Sequence, residues 1–160
     1  MPLIEGQFSG PSDFAQGIRD ALEVAAYEGW SEMVWSDANF EDWPLRERVV
    51  IASLNAWAGR GRKLILLAHH FGAMPRLHPR FVEWRIRWDH IIECRLCKGV
   101  DASEMPSALW SPTWALRRLD VDRCTGVAGF EPSRRLLLRE ELDERMRQSG
   151  PGFPASVLGL

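Results

Sequence analysis

Residues 63–68 read KLILLA, a continuous apolar run behind one lysine, bounded by Gly61 on one side and by His69 and His70 on the other. Side chains alternate between the two faces of a sheet, so a short run that is apolar at every position predicts a strand buried on both sides. A chain with such a strand must supply a layer for each face. The flanking segments are therefore read for the elements that cover it.

Upstream, Asp13 followed by Gln16 has the form of a capping box, and Phe14, Ile18, Ala21, Leu22 and Ala25 recur at helical spacing up to Gly29. This predicts a helix over about 13–28. EMVWS at 32–36 predicts a strand that runs into the acidic turn at 37–42. Pro44 suits the first turn of a second helix, with Leu45, Val49, Ala52, Ser53, Ala56 and Trp57 on one face before Gly59-Arg60-Gly61 stops it. Downstream, Pro79 opens a third helix with Phe81, Trp84, Ile86 and Trp88, and IIECRLC at 91–97 alternates as a half-buried strand. Helices and strands alternating with short links argue for parallel strands joined by right-handed crossovers.

The pattern then changes. Residues 100–112, with Pro106 and Pro112, read as a loop, 114–121 and 124–130 as a hairpin, and 132–148 as a last helix with Leu138, Leu142 and Met146 on one face. The expected fold is a single α/β domain over 1–148, a mixed, mainly parallel sheet with helices on both faces and KLILLA central. An irregular tail is expected over 149–160.

Hydrophobic residues make up 46% of the 160 and charged residues 26%, which excludes disordered, collagenous and disulfide-scaffold chains. No apolar run approaches the ~18 residues of a membrane helix, and MPLIEGQF has neither a basic nor an apolar leader region, so a cytoplasmic location is expected, away from membranes. Cys94, Cys97 and Cys124 form an odd set that fits a reducing compartment. Cys94 and Cys97 would point to opposite faces of a strand, so no metal site is expected, and no cofactor.

Arginine outnumbers lysine eighteen to two, and the eight Trp are read mainly as core. Residues 1–45 carry nine acids and one base, 46–99 carry eleven bases and four acids, and 100–160 carry nine acids and eight bases. The expectation is that the acidic first segment packs beside the basic middle and partly cancels it, although the asymmetry would equally suit a surface for a polyanion. Trp84/Trp88 and Trp110/Trp114 with nearby arginines resemble the stacking mix of single-strand binders, but four-residue spacing more often marks one packed helix face. Nucleic acid is accordingly placed behind other partners.

In open parallel sheets ligands bind beyond the carboxyl ends of the strands, where Ser36, Asp37, His69 and His70 would share a rim. Histidine beside an aspartate can act as a base or bind phosphate, so His69, His70 and Asp37 are the candidate catalytic groups, weighed against a simple role in capping loops. Phosphate-loop, dinucleotide and serine-hydrolase signatures are absent from the sequence.

EMVWSDANFEDW followed by LRERVVIASLNAWAGRGRKLILLA resembles the phospholipase D-like half-domain, and WALRRLDVDRCTGVAGFEPS falls where that superfamily keeps its hairpin. The chain is also similar to an uncharacterised proteobacterial family of that kind through its WSD, HPRF, LWSP and EPSRR segments. The resemblance implies a His-x-Lys-x4-Asp motif on the hairpin. With Asp122 in the Asp place, Ala115 and Arg117 stand in the His and Lys places, so the nucleophile is missing. Ser36, Asp37, His69, His70, Arg117 and Asp122 are the candidate binding residues. The expected function is a non-catalytic phospholipase D-like domain acting in binding or assembly, with a phosphate-directed enzyme using His69 or His70 as the alternative. The half-domain resemblance further implies a homodimer, with a phosphate-containing ligand or a protein as other partners.

Overall fold

The structure, a computed structural model, describes residues 2–154. One eight-stranded sheet runs in the order β1-β7-β6-β5-β2-β3-β4-β8. Its strands are β1 (Gly6–Phe8), β2 (Glu32–Asp37), β3 (Lys63–Ala68), β4 (Ile92–Leu96), β5 (Ser107–Trp110), β6 (Ala115–Asp120), β7 (Thr125–Gly129) and β8 (Gly150–Pro151). The helices are α1 (Pro11–Glu28), α2 (Arg48–Trp57), α3 (Ala73–Leu77), α4 (Pro79–Arg87) and α5 (Pro132–Arg147), with short 3-10 turns at Asp89–Ile91 and Ala102–Glu104.

The α/β class and the mixed sheet agree with the sequence reading; the expectation of a mainly parallel sheet is corrected. Only β2–β3 and β3–β4 are parallel, and the other five pairings are antiparallel. The reason lies at 100–112, read as a loop. Ser107–Trp110 is a strand buried at three of its four positions that returns on the far side of β2, antiparallel to it. From β5 to β7 the chain proceeds by direct turns without helical crossovers, and such links join antiparallel neighbours; α5 then carries it across to β8 at the far edge.

KLILLA is an interior strand, flanked by β2 and β4 and buried from Leu64 to Ala68. Its parity divides the core. Leu64 and Leu66 join Met33, Trp35, Leu109 and Leu116 under α1, α2 and α4, while Ile65 and Leu67 join Val34, Ala108, Leu138 and Leu142 under α5. Helices thus cover both faces. Cys94 and Cys97 fall in opposite layers, as strand alternation requires.

Of the eight Trp, Trp30, Trp35, Trp43, Trp57, Trp84 and Trp114 are buried, which removes them as markers of an exposed interface. Burial pushes the Cys94 thiol up to about 12. In the segment expected to be an irregular tail, β8 pairs with Arg95 and Leu96, Gly152 N–H donates to Cys94 O, and Phe153 stacks on Phe71 with ring centroids 5.2 Å apart. The guanidinium of Arg85 donates to Phe153 O, fixing this strap to α4. The apolar end of the tail lies outside the described residues. No helix among the described residues is long and apolar enough to cross a membrane.

Candidate functional site

The C-terminal ends of β2 and β3 do bring Ser36, Asp37, His69 and His70 to one rim, but the side chains of Ser36 and Asp37 serve the fold, and His69 Nδ1 is buried without a hydrogen-bond partner among the described residues. Ser36 is fully buried and its hydroxyl donates to Pro106 O at 2.7 Å. One oxygen of Asp37 accepts the N–H groups of Asn39 and Phe40 at 3.2 and 2.8 Å. Its other oxygen takes the Arg118 guanidinium at 3.0 Å. Three of the roughly four acceptor sites of that carboxylate are thus taken up by the fold. The backbone N–H groups of His69 and His70 both donate to Ala38 O, tying the rim to the loop after β2. Their rings stand edge to face with centroids 6.2 Å apart, His69 half-buried and His70 exposed. Neither ring is bonded to Asp37, so the expected acid/base pair is not assembled. Among the described residues no group of three His, Cys, Asp or Glu could hold a metal ion.

Arg117 and Arg118 show what one step of strand parity does. Arg117, the candidate from sequence, points toward α5 and forms a two-pronged pair with Glu141 at 2.7 and 3.0 Å. Arg118 points to the opposite layer, where its side chain is 0% exposed. There it bonds Asp37, Asp42 at 2.9 Å and Ser107 Oγ at 3.0 Å, with its guanidinium 4.2 Å above the Phe14 ring. Arg118 is the residue that meets the rim, and strand alternation from the buried Leu116 and Ala115 was the signal that separates it from Arg117. Asp122 is exposed in the β6–β7 turn, and Ala115 is buried on β6. The hairpin therefore gathers no catalytic set around the Asp122 frame.

The acidic first segment does pack beside the basic middle, α1 against α2 and β2 along β3, but its carboxylates make their ion pairs elsewhere. Carboxylates of the acidic first segment pair with arginines of the last third, Asp37 and Asp42 with Arg118 and Glu32 with Arg139. Arg19, the one base of that first segment, pairs with Glu47 of the middle, and holds the Glu47 carboxyl below its ordinary range. Among the described residues no acid of 1–45 lies within 4.0 Å of a base of 46–99. Among the described residues, Arg85 and Arg95 are the bases of the middle segment that have a carboxylate partner, Asp89 and Glu93.

Several of the remaining bases lie on or beside α2, α3 and α4. Arg46, Arg48, Arg76, Arg80 and Arg87 are all exposed, and among the described residues none has a carboxylate within ion-pair distance. Val50, Leu54 and Trp57 anchor α2 inward, and Phe81, Trp84 and Arg85 anchor α4, so the outer faces of both helices are fixed toward solvent. Between them lies an open cleft of about 520 Å³ lined by Ile51, Arg80, Glu83, Ile86 and Arg87. Arg80 Nη1 donates to Arg46 O at 2.8 Å, which sets the start of α4 against the start of α2.

No protein-family model matches the chain, and no curated protein does. Among solved structures it is similar to TrmBL2, an archaeal chromatin protein whose structure shows a novel mode of DNA binding. The likeness has a TM-score of 0.67 at 18% sequence identity and covers 95% of this chain and 55% of the TrmBL2 chain. It establishes the fold, and this chain spans about half the length of that protein. It also overturns the function expected from sequence. The fold that runs through this chain is found in a chromatin protein, and the phospholipase D-like domain of binding or assembly gives way to that finding, as does the phosphodiesterase alternative built on His69 or His70.

Proposed function

We propose that this chain is the α/β module of a DNA-associated protein and that it meets duplex DNA through the phosphate backbone. The observation that carries the proposal is the fold shared over 95% of the chain with half of an archaeal DNA-binding chromatin protein. The charge pattern supports it. Arginines without carboxylate partners are free to bond phosphate oxygens, and contacts of that kind position a protein on DNA without reading its sequence. With a net charge of −2 the whole molecule supplies no broad attraction to a polyanion, so binding rests on a local face and is weak and salt-sensitive.

Fluorescence anisotropy of labelled duplexes at 50 to 200 mM salt tests this. Two duplexes of unrelated sequence are expected to bind equally, with dissociation constants on the order of 10⁻⁴ to 10⁻⁶ M and an affinity that falls linearly in log–log form with salt. No binding at the lowest salt, or binding indifferent to salt, would overturn the reading.

The homodimer belongs to the same proposal. Leu119 and Phe130 line an open groove along β1 and β7, and Leu136 and Leu137 are 61% and 65% exposed on the neighbouring α5. An apolar patch of this kind beside an open sheet edge favours a second copy as its cover. Light scattering at micromolar concentration is expected to give the dimer mass; a monomer mass refutes it.

A further inference from the structure

We infer that the outer face of α2 and α4, carrying Arg80 and Arg87 on the Ile51/Ile86 cleft and Arg48 at the start of α2, is the surface on which duplex DNA phosphates sit. The inference rests on the DNA-associated reading and names its interface. Arg80 and Arg87 are seven residues apart on one helix, which at 100° per residue puts them on the same side, two turns and ~10 Å apart along the axis. Arg48 stands in the first turn of α2, and the bond from Arg80 to Arg46 O brings the beginnings of the two helices together. Arg80 and Arg87 thus align along one side of α4, and Arg48 starts the helix bonded beside it, so that together they would present a spaced row of guanidinium groups. Phosphate oxygens complement such a row, because guanidinium groups bond them in pairs and lose little order in doing so.

Other arginine clusters offer this less well. On α5 the arginines at 134, 139 and 147 are bonded to Glu131, Asp143 and Glu144, and the half-buried Arg135 and Arg145 bond Pro112 O and Gln148 Oε1; before β3, Arg62 bonds Trp57 O. At the rim Arg117 and Arg118 are held by Glu141, Asp37 and Asp42. A phosphate there would have to displace a carboxylate, whereas on the α2–α4 face Arg48, Arg80 and Arg87 hold no carboxylate, and the bond from Arg80 Nη1 to Arg46 O leaves its other N–H groups for a phosphate. Glu83 is the one carboxylate lining the cleft.

The test compares two triple variants in the full chain. Arg48→Gln/Arg80→Gln/Arg87→Gln removes the row, and glutamine preserves helix propensity at these exposed positions. Arg123→Gln/Arg134→Gln/Arg147→Gln makes the same change of charge at exposed, ion-paired positions elsewhere. Circular dichroism melts confirm that both fold. By anisotropy, the first is expected to lose at least about tenfold in affinity at 50 mM salt and to reduce the salt slope by about 2 to 3, while the second keeps the slope of the unaltered chain. Glu83→Gln is expected to tighten binding. If the first triple variant binds as the unaltered chain does, or both triples weaken it equally, the assignment of this face is overturned while the DNA-associated reading stands. If the unaltered chain binds no DNA, that reading fails, and this assignment with it.

Discussion

Replacing Asp37 with alanine tests whether the rim is a structural knot. The Asp37 side chain is 4% exposed and its Arg118 partner 0%. The substitution leaves a buried guanidinium without its closest fully buried counter-charge and also orphans the N–H groups of Asn39 and Phe40. Removing one partner of a buried pair costs about 3–5 kcal/mol. Asp42, Ser107 Oγ and the Phe14 ring remain around Arg118, which places the expected loss at the lower end, about 3 kcal/mol. For a domain of this size that corresponds to a fall in Tm of about 6 to 12 °C. The comparison is Arg117→Ala, one residue away, whose pair with Glu141 is 34% and 32% exposed and is expected to contribute about 1 kcal/mol or less. Urea unfolding followed by far-UV circular dichroism gives both values, with unchanged m. Substituting both partners, Asp37→Ala with Arg118→Met, is expected to recover part of the loss. If Asp37→Ala stays within about 0.5 kcal/mol of the unaltered chain, or Arg117→Ala costs as much, the reading of the rim as a buried structural pair is refuted.

Two further outcomes follow from buried titratable groups. His78 is fully buried and bonds Phe40 O at 2.8 Å, so Nε2 carries the proton; burial, with Arg46 nearby, lowers its pKa below the ordinary 6.5. The unfolded chain therefore takes up a proton near pH 6.5 that the native chain resists, so this group's contribution is fully present above that pH and declines below it, by up to about 1.4 kcal/mol per pH unit. Urea midpoints at pH 7.5 and 5.5 are expected to diverge less in His78→Gln, and an equal divergence would exclude His78 as the source. With its thiol pushed up to about 12 and its side chain buried, Cys94 is expected to resist a thiol reagent at pH 8 in the native state and to react in urea. Rapid native labelling at Cys94, mapped by mass spectrometry, would contradict this.

The sequence was informative where periodicity runs long. Phe14, Ile18, Leu22 and Ala25 mark α1, and the unbroken apolar run marks β3, because burial on a known geometry writes a period into the chain. It was silent on β1 and β8, which hold three and two residues, and on β5, whose four residues sit between Pro106 and Ser111 and follow a prolonged turn. Missing β5 is what made the sheet read as mainly parallel, since that strand carries the reversal beside β2. The rim residues were found but their use was not. Asp37 lies next to histidines in one view and to Arg118 in the other, and the second contact spans 81 positions of sequence. The arginine face was half legible. Counting charges located the basic middle, but only the actual ion pairs show that Asp37, Asp42 and Glu32 of the acidic start go to Arg118 and Arg139, while Arg48, Arg80 and Arg87 on α2 and α4 have no carboxylate partner among the described residues.

A titration of ¹⁵N-labelled chain with a short DNA duplex, read at the backbone and arginine side-chain resonances, measures the central claim most directly. The account predicts progressive, salt-reversible shifts at Arg48, Arg80 and Arg87 and along the exposed faces of α2 and α4, with Asp37, His69 and His70 unmoved. Shifts confined to the strand-end rim or to α5, or none anywhere at low salt, would contradict it.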